Sequence, residues 1–256
     1  MREHPEDTPH PRPDLRWFRL RAVAVHLYTA SGVVLALLIL AAAFEGDAAR
    51  ALWLMLAALV IDSTDGLLAR RFRVKEALPF FDGALLDNIV DYITYVFAPM
   101  VLLWSGGHLP DGVAGLILAA IPLLASSYQF CHVDAKTEDH FFLGFPSYFN
   151  VVAFYAIVLE LDSTVLSGLL VLCSALVFVP LRYIYPTRTA AFRRLSLTLS
   201  GLWLACYAGI LLQLPEPSPL LLGLSMLYLC YYFGLSLYLS FKHLEARRLE
   251  QREALE

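Results

Sequence analysis

The strongest constraint on this chain is a succession of eight apolar runs, most of them about as long as a bilayer is thick. They fall at about 22–44, 48–68, 82–104, 112–131, 146–161, 164–181, 195–214 and 219–241, the fifth being the shortest. A helix of about 20 residues crosses a hydrocarbon core of about 30 Å. Lipid offers no hydrogen bonds to an open backbone, so runs of this kind must be helical. The chain is 59% hydrophobic and only 16% charged, and its mean hydropathy is +0.62. The expected fold is an all-α integral membrane protein, a bundle of about eight transmembrane helices, in a single domain over residues 16–242 without internal repeats. Residues 1–15 carry Pro5, Pro9, Pro11 and Pro13 and are expected to be a disordered tail. They lack the apolar stretch and cleavage site of a signal peptide. Residues 243–256 are expected to form a charged cytoplasmic tail.

Basic residues set the orientation. With the N-terminus in the cytoplasm, all of the 19 lysines and arginines except Arg50 fall on the inner side. Both termini are then cytoplasmic. Residues 14–21, Asp-Leu-Arg-Trp-Phe-Arg-Leu-Arg, mix bulky apolar and basic types and suit a short interfacial helix before the first span; positive-inside anchoring accounts for them nearly as well. The net charge of −4 is sorted by side, and no nucleic-acid partner is expected. Cys131, Cys173, Cys206 and Cys230 are widely spaced and match no disulfide or metal pattern; they are read as packing residues.

Within this apolar chain stand two pairs of aspartates. The sequence runs Asp62-Ser-Thr-Asp65-Gly66-Leu-Leu-Ala69-Arg70, and after a gap of twelve residues Gly83-Ala-Leu-Leu-Asp87-Asn-Ile-Val-Asp91. A carboxylate at bilayer depth costs roughly 2.5–3.5 kcal/mol, so four of them require compensation. Asp is a hard oxygen ligand suited to magnesium or manganese. At about 100° per residue, Asp65 lies about −60° from Asp62, Gly66 about +40° and Ala69 about −20°, a single stripe. Gly83, Asp87 and Asp91 form a second row at i, i+4 and i+8. Small residues let membrane helices approach closely, so the two helices are expected to pack together around one metal cluster. The plain alternative is a structural polar network.

All eight fixed positions of this pattern, Asp-x2-Asp-Gly-x2-Ala-Arg and Gly-x3-Asp-x3-Asp, resemble the signature of the CDP-alcohol phosphotransferases. The gap between its halves is longer than is usual in that family. In this it is similar to bacterial members that make phosphatidylcholine from CDP-diacylglycerol and free choline. The resemblance implies a site for two Mn2+ or Mg2+ ions held by Asp62, Asp65, Asp87 and Asp91, with Asp91 also the general base. It implies that Asp65, Gly66, Ala69, Arg70 and Gly83 bind the nucleotide end of CDP-diacylglycerol. His26 and Thr29, in a first helix that lines the nucleotide side in the family, are weaker candidates. It also implies a bacterial inner-membrane location with the site at the cytoplasmic face; a homodimer is compatible with it.

The acceptor is read from the inside loop 132–145, where Asp134, Glu138 and Asp139 outnumber Lys136. Phe145, Tyr148, Phe149, Asn150, Phe154 and Tyr155 follow it. Quaternary ammonium groups are recognised by aromatic faces, so Glu138, Asp139, Tyr148, Asn150 and Tyr155 are candidate choline contacts; the other reading of the rings is an interfacial aromatic belt. The segment 140–150 is also similar to the choline-using members. Arg182-Tyr183-Ile-Tyr185-Pro186-Thr-Arg188 resembles a segment shared by choline-using and some serine-using members. Arg182 and Arg188 are candidates for a lipid phosphate, or plain inner-side anchors. The expected activity is phosphatidyl transfer from CDP-diacylglycerol to choline, with serine the alternative acceptor. A metal-ion or choline transporter is the alternative of another class, but a transporter would place acids at mid-membrane on several helices. Here they gather at one end of two.

Overall fold

The computed structural model describes residues 15–253. The expected tail 1–15 thus lies, but for Leu15, outside the described residues. In chain order the elements are α1 (Leu15–Phe44), α2 (Ala48–Arg71), α3 (Val74–Ala77), α4 (Gly83–Asp91), a π-helical segment (Tyr92–Phe97) that leads straight into α5 (Ala98–Ser105), α6 (Val113–Cys131), β1 (Phe141–Leu143), α7 (Phe149–Val158), α8 (Ser163–Val177), β2 (Arg182–Ile184), α9 (Arg193–Leu212) and α10 (Pro219–Glu253). Aspartates open several of the helices by accepting orphan backbone N–H groups. Asp47 caps α2 through Arg50 N, Asp82 caps α4 through Ala84 N and Leu85 N, and Asp162 caps α8 through Thr164 N.

Among the described residues, six helices are long and apolar enough to cross a membrane: α1, α2, the rod Gly83–Ser105, α6, α9 and α10. The protein is a multi-pass membrane protein. The other two expected spans are present as helices but are shorter. α7 has 10 residues and α8 has 15, which at 1.5 Å per residue reach only about 15 Å and 22 Å. The remaining residues of the two runs, 146–148, 159–161 and 178–181, lie in turns and irregular chain. α7 is apolar all round, and it buries Phe149, Ala153, Phe154, Tyr155 and Ala156 among other helices, as such a helix must if it does not face lipid.

Three further expectations are corrected. The fold is mostly rather than wholly helical, because β1 and β2 pair antiparallel with Phe141 opposite Ile184, Phe142 opposite Tyr183 and Leu143 opposite Arg182. Two loops at one end of the bundle satisfy each other's backbone groups in this way. The interfacial segment 16–21 is not a separate helix but the first turns of α1; no glycine or proline interrupts residues 15–31, so the hydrogen-bond ladder runs on. The tightest packing of the small residues is also not between α2 and α4, although the acids of these two helices converge. α1 packs against both of them, and α2 with α4 is not among the closely packed pairs. A Cβ on Gly83 would lie 2.7 Å from His26 Cε1, and one on Gly32 2.5 Å from Val90 Cγ1. The close approach is therefore between α1 and α4. The charged tail 243–256 continues α10 as helix to Glu253.

The core is a continuous apolar cluster centred on Ile39, Leu52, Met100, Leu103, Phe149, Phe154, Leu166 and Ile210. Large apolar side chains also cover the outside: Leu27, Val34 and Leu37 on α1, Leu116 and Leu124 on α6, Leu220 and Leu227 on α10. Apolar outer faces of this extent mark contact with lipid rather than water.

Candidate active site

α2 and α4 carry the acids into one place. Carboxylate oxygens of Asp62, Asp87 and Asp91 all lie within 4.8 Å of one another. Three like charges so close repel, and an all-oxygen donor set of this type suits a hard divalent cation. The triad could therefore hold a metal ion. Asp65 sits one turn beyond Asp62 and turns towards α1, where Thr29 Oγ1 donates to its Oδ2 at 2.8 Å. The neighbouring Tyr28 and Thr64 hydroxyls, 2.8 Å apart, tie the same two helices. α1 contributes nothing to the aspartate motif, yet it positions both halves of it.

Two further groups reach the triad, neither of them part of the aspartate pattern. The Tyr95 hydroxyl donates to Asp62 Oδ2. Tyr95 continues the row Gly83, Asp87, Asp91 by one more step of four, a signal that was legible. It lies in the π-helical segment Tyr92–Phe97, a geometry that recurs at functional sites. Lys136, from the loop before β1, places its Nζ 3.9 Å from Asp87 Oδ2 and 3.3 Å from Asn88 Oδ1. Its partial neutralisation of the acids depends on how that loop folds back, and no spacing in the sequence reveals it.

Asp62, Asp65 and Asp87 open into a cavity of about 1280 Å³. Its lining includes Asp62, Asp65, Asp87, Gly66, Ala69, Arg70 and Gly83, with His26 and Thr29. A Cβ on Gly66 would stand 3.3 Å from the Arg70 guanidinium, so Gly66 leaves that side chain its room. Arg73, Lys75 and Arg188 also line the cavity, and its walls continue past Tyr95, Tyr148, Tyr185 and Tyr232 to Tyr155, Leu159, Leu169 and Leu204. A cavity lined by both charged and apolar groups fits a molecule that has both.

The candidate acceptor residues separate. Tyr148 and Tyr155 line the cavity, while Glu138, Asp139 and Asn150 are not among its lining residues. Asp139 is paired with Arg182 and accepts from Thr137 Oγ1 at 2.8 Å. Burial pushes its carboxyl up, but the hydrogen bonds from Thr137 and Arg182 and the Arg182 charge outweigh this and hold its pKa below the ordinary carboxylate value. Asn150 is buried, and its Oδ1 accepts from Val151 N at 2.9 Å. The Tyr155 hydroxyl accepts from Trp203 Nε1 at 3.0 Å. Of the two candidate lipid-phosphate arginines, Arg182 is committed to Asp139 and lies 4.4 Å from the Phe141 ring centroid. Arg188 reaches the cavity, 5.5 Å over the Tyr185 ring. Burial, and then Asp62 nearby, push the Tyr185 hydroxyl up to about 12, so that it stays a neutral donor.

Comparison with known proteins agrees with this geometry. Residues 23–181 match the family described as CDP-alcohol phosphatidyltransferase. The chain is 39% identical over 223 residues to a Pseudomonas aeruginosa protein named phosphatidylcholine synthase, covering 87% of this chain and 93% of that one. A Legionella pneumophila protein of the same name is 41% identical, covering 84% and 86%. A third so named, from Borreliella burgdorferi, is 33% identical, covering 85% and 94%. With the aspartate pattern complete, its acids convergent and most of the chain matched, this protein belongs to the CDP-alcohol phosphatidyltransferase family.

Proposed function

We propose that the protein transfers the phosphatidyl group of CDP-diacylglycerol to the hydroxyl of free choline, giving phosphatidylcholine and CMP. The observation that carries this reading is the convergence of Asp62, Asp87 and Asp91, with Asp62 and Asp87 lining a cavity that carries both charged and apolar side chains. Relatives at about 40% identity that bear the name phosphatidylcholine synthase support the choice of product.

Asp62, Asp87 and Asp91, with Asp65 close by, would hold two ions, Mn2+ or Mg2+. Bound there, the ions would neutralise the charge that builds on the phosphoryl group. Asp91 takes the proton from the choline hydroxyl. The freed oxygen attacks the phosphorus that carries the diacylglycerol, the bond to the CMP oxygen breaks, and CMP leaves with the electron pair. Arg70, and Arg188 across the cavity from it, face the diphosphate with planar sets of donors. Gly66, Ala69 and Gly83 keep side chains out of the nucleotide's way. The acyl chains follow the apolar walls towards Leu159, Leu169 and Leu204.

The test is a purified preparation given CDP-diacylglycerol and Mn2+ with choline, serine or glycerol phosphate, and CMP release is measured. Choline is expected to be the acceptor, and a chelator is expected to stop the reaction, with Mn2+ or Mg2+ restoring it. Release with serine or glycerol phosphate but not with choline defeats the reading.

The site faces the cytoplasm, and the protein resides in the bacterial inner membrane with both ends inside. The support is the distribution of basic residues. On a cysteine-free background, a cysteine at Gly107 is expected to react with an impermeant thiol reagent from outside intact cells, and one at Lys75 only after lysis. The opposite pattern would refute the orientation and the cytosolic site together.

A further inference from the structure

We infer that the trimethylammonium group of the acceptor is held by a wall of tyrosines, Tyr95, Tyr148 and Tyr232, beside Asp62, rather than by the acidic loop 132–145. The inference rests on choline being the acceptor and assigns the part of the cavity that selects it.

The three rings form one surface. Tyr148 lies 6.0 Å from Tyr95 and 6.0 Å from Tyr232, centroid to centroid, and Phe142 packs edge-on behind it at 6.4 Å. All three tyrosines line the cavity. They arrive from the π-helical segment, the residue before α7, and α10, so the wall is a product of the tertiary fold. It is also held in advance of binding. The Tyr95 hydroxyl is fixed on Asp62, and the Tyr232 hydroxyl donates to the Ile184 carbonyl of β2 at 3.2 Å. Pre-set rings of this kind do not have to be ordered when a ligand arrives.

Charge separates this wall from the rest of the cavity. The arginines and lysine that line it, Arg70, Arg73, Lys75 and Arg188, come from the end of α2, the α3 turn and the loop after β2. Carboxylates stand beside the rings: Asp62 accepts from the Tyr95 hydroxyl, and Asp91 belongs to the same triad. Aromatic faces backed by carboxylates attract a quaternary cation. Carboxylates beside the rings disfavour the carboxylate of serine, and so the wall selects by rejection as well as by attraction. Because Tyr95 is bonded to Asp62, and Asp62 and Asp91 belong to one triad, the two-carbon arm of choline leads from the wall to the base. Glu138 and Asp139 take no part: they do not line the cavity, and Asp139 is paired with Arg182.

The test compares choline with its uncharged isostere 3,3-dimethylbutan-1-ol, which has the same shape without the charge. Tyr148→Leu is expected to raise the choline KM about 10-fold, within the range of one desolvated cation–ring contact. The KM values for the isostere and for CDP-diacylglycerol are expected to change much less, and kcat to hold, because the wall grips substrate and transition state alike. Phenylalanine bearing none, one, two or three fluorines at position 148 keeps the packing and drains the ring face stepwise; the choline KM is expected to climb along that series while the KM of the isostere stays level. A flat series in an enzyme that uses choline overturns the wall and leaves the activity standing. A wild-type protein that releases no CMP with choline overturns the activity on which the wall rests.

Discussion

Asp91→Asn is expected to lower the rate of CMP release at least 100-fold with the protein still folded in the membrane. The substitution keeps the shape and one oxygen donor but removes both the charge and the ability to accept a proton. General-base assistance alone is worth roughly 100- to 10,000-fold, and 100-fold corresponds to about 2.7 kcal/mol of barrier. The loss should fall on kcat, since the proton moves only in the chemical step, and the KM for CDP-diacylglycerol should change little. Asp62→Asn and Asp87→Asn remove charge from the same triad, and each should weaken the response to added Mn2+ or Mg2+ instead. Retention of more than about a tenth of the wild-type turnover by Asp91→Asn, less than about 1.4 kcal/mol, would show that another group takes the proton. Circular dichroism and gel filtration in detergent separate this outcome from misfolding.

The second large effect is structural, at Gly144. This residue closes β1 and turns the chain towards α7, with φ of +81°. A Cβ there would lie 2.2 Å from the Val177 carbonyl oxygen at the end of α8, and its own N–H donates to the Leu181 carbonyl at 2.8 Å. Gly144→Ala meets two penalties. The left-handed backbone costs a residue with a side chain about 1–2 kcal/mol, and the carbonyl opposite can give way only by moving backbone. Gly107 supplies the control: its φ is +73° and a Cβ on it would meet nothing within 4 Å, so Gly107→Ala carries the first penalty alone. Thermal denaturation in detergent should rank the variants wild type, Gly107→Ala, Gly144→Ala in falling stability. Equal losses in the two variants would mean that the α8 contact does not restrain the turn.

Much of this architecture was legible in the residues. Among the described residues the apolar runs predicted six long helices in order, because lipid leaves a spanning backbone no other state, and their two other runs appear as the shorter α7 and α8. The row Gly83, Asp87 and Asp91 was visible because helical periodicity is a local property, and the same row extended one step reaches Tyr95. What escaped was set by contacts distant in sequence. The partner of Asp65 is Thr29, from a helix outside the motif. The aspartate pairing of Arg182 and the approach of Lys136 to Asp87 follow from how the loop before β1 folds back. α7 and α8 are shorter than their apolar runs because residues 146–148, 159–161 and 178–181 lie in turns and irregular chain outside the helices. Composition also pointed to the acids of loop 132–145 for the ammonium, although that loop meets its own cation.

The placement of the working parts along the chain also bears on how the protein is made. Translation delivers residues in order, and early segments can settle before later ones exist. Thr29, Asp62, Asp65, Asp87, Asp91 and Tyr95 all lie within the first three long helices, which end at Ser105. The acid end can therefore assemble once the ribosome has passed that point. The tyrosine wall cannot: Tyr148 and Tyr232 arrive only with α7 and α10. During synthesis the acids are complete before the tyrosine wall is, so a chain truncated before α10 would carry every acid of the triad and lack Tyr232.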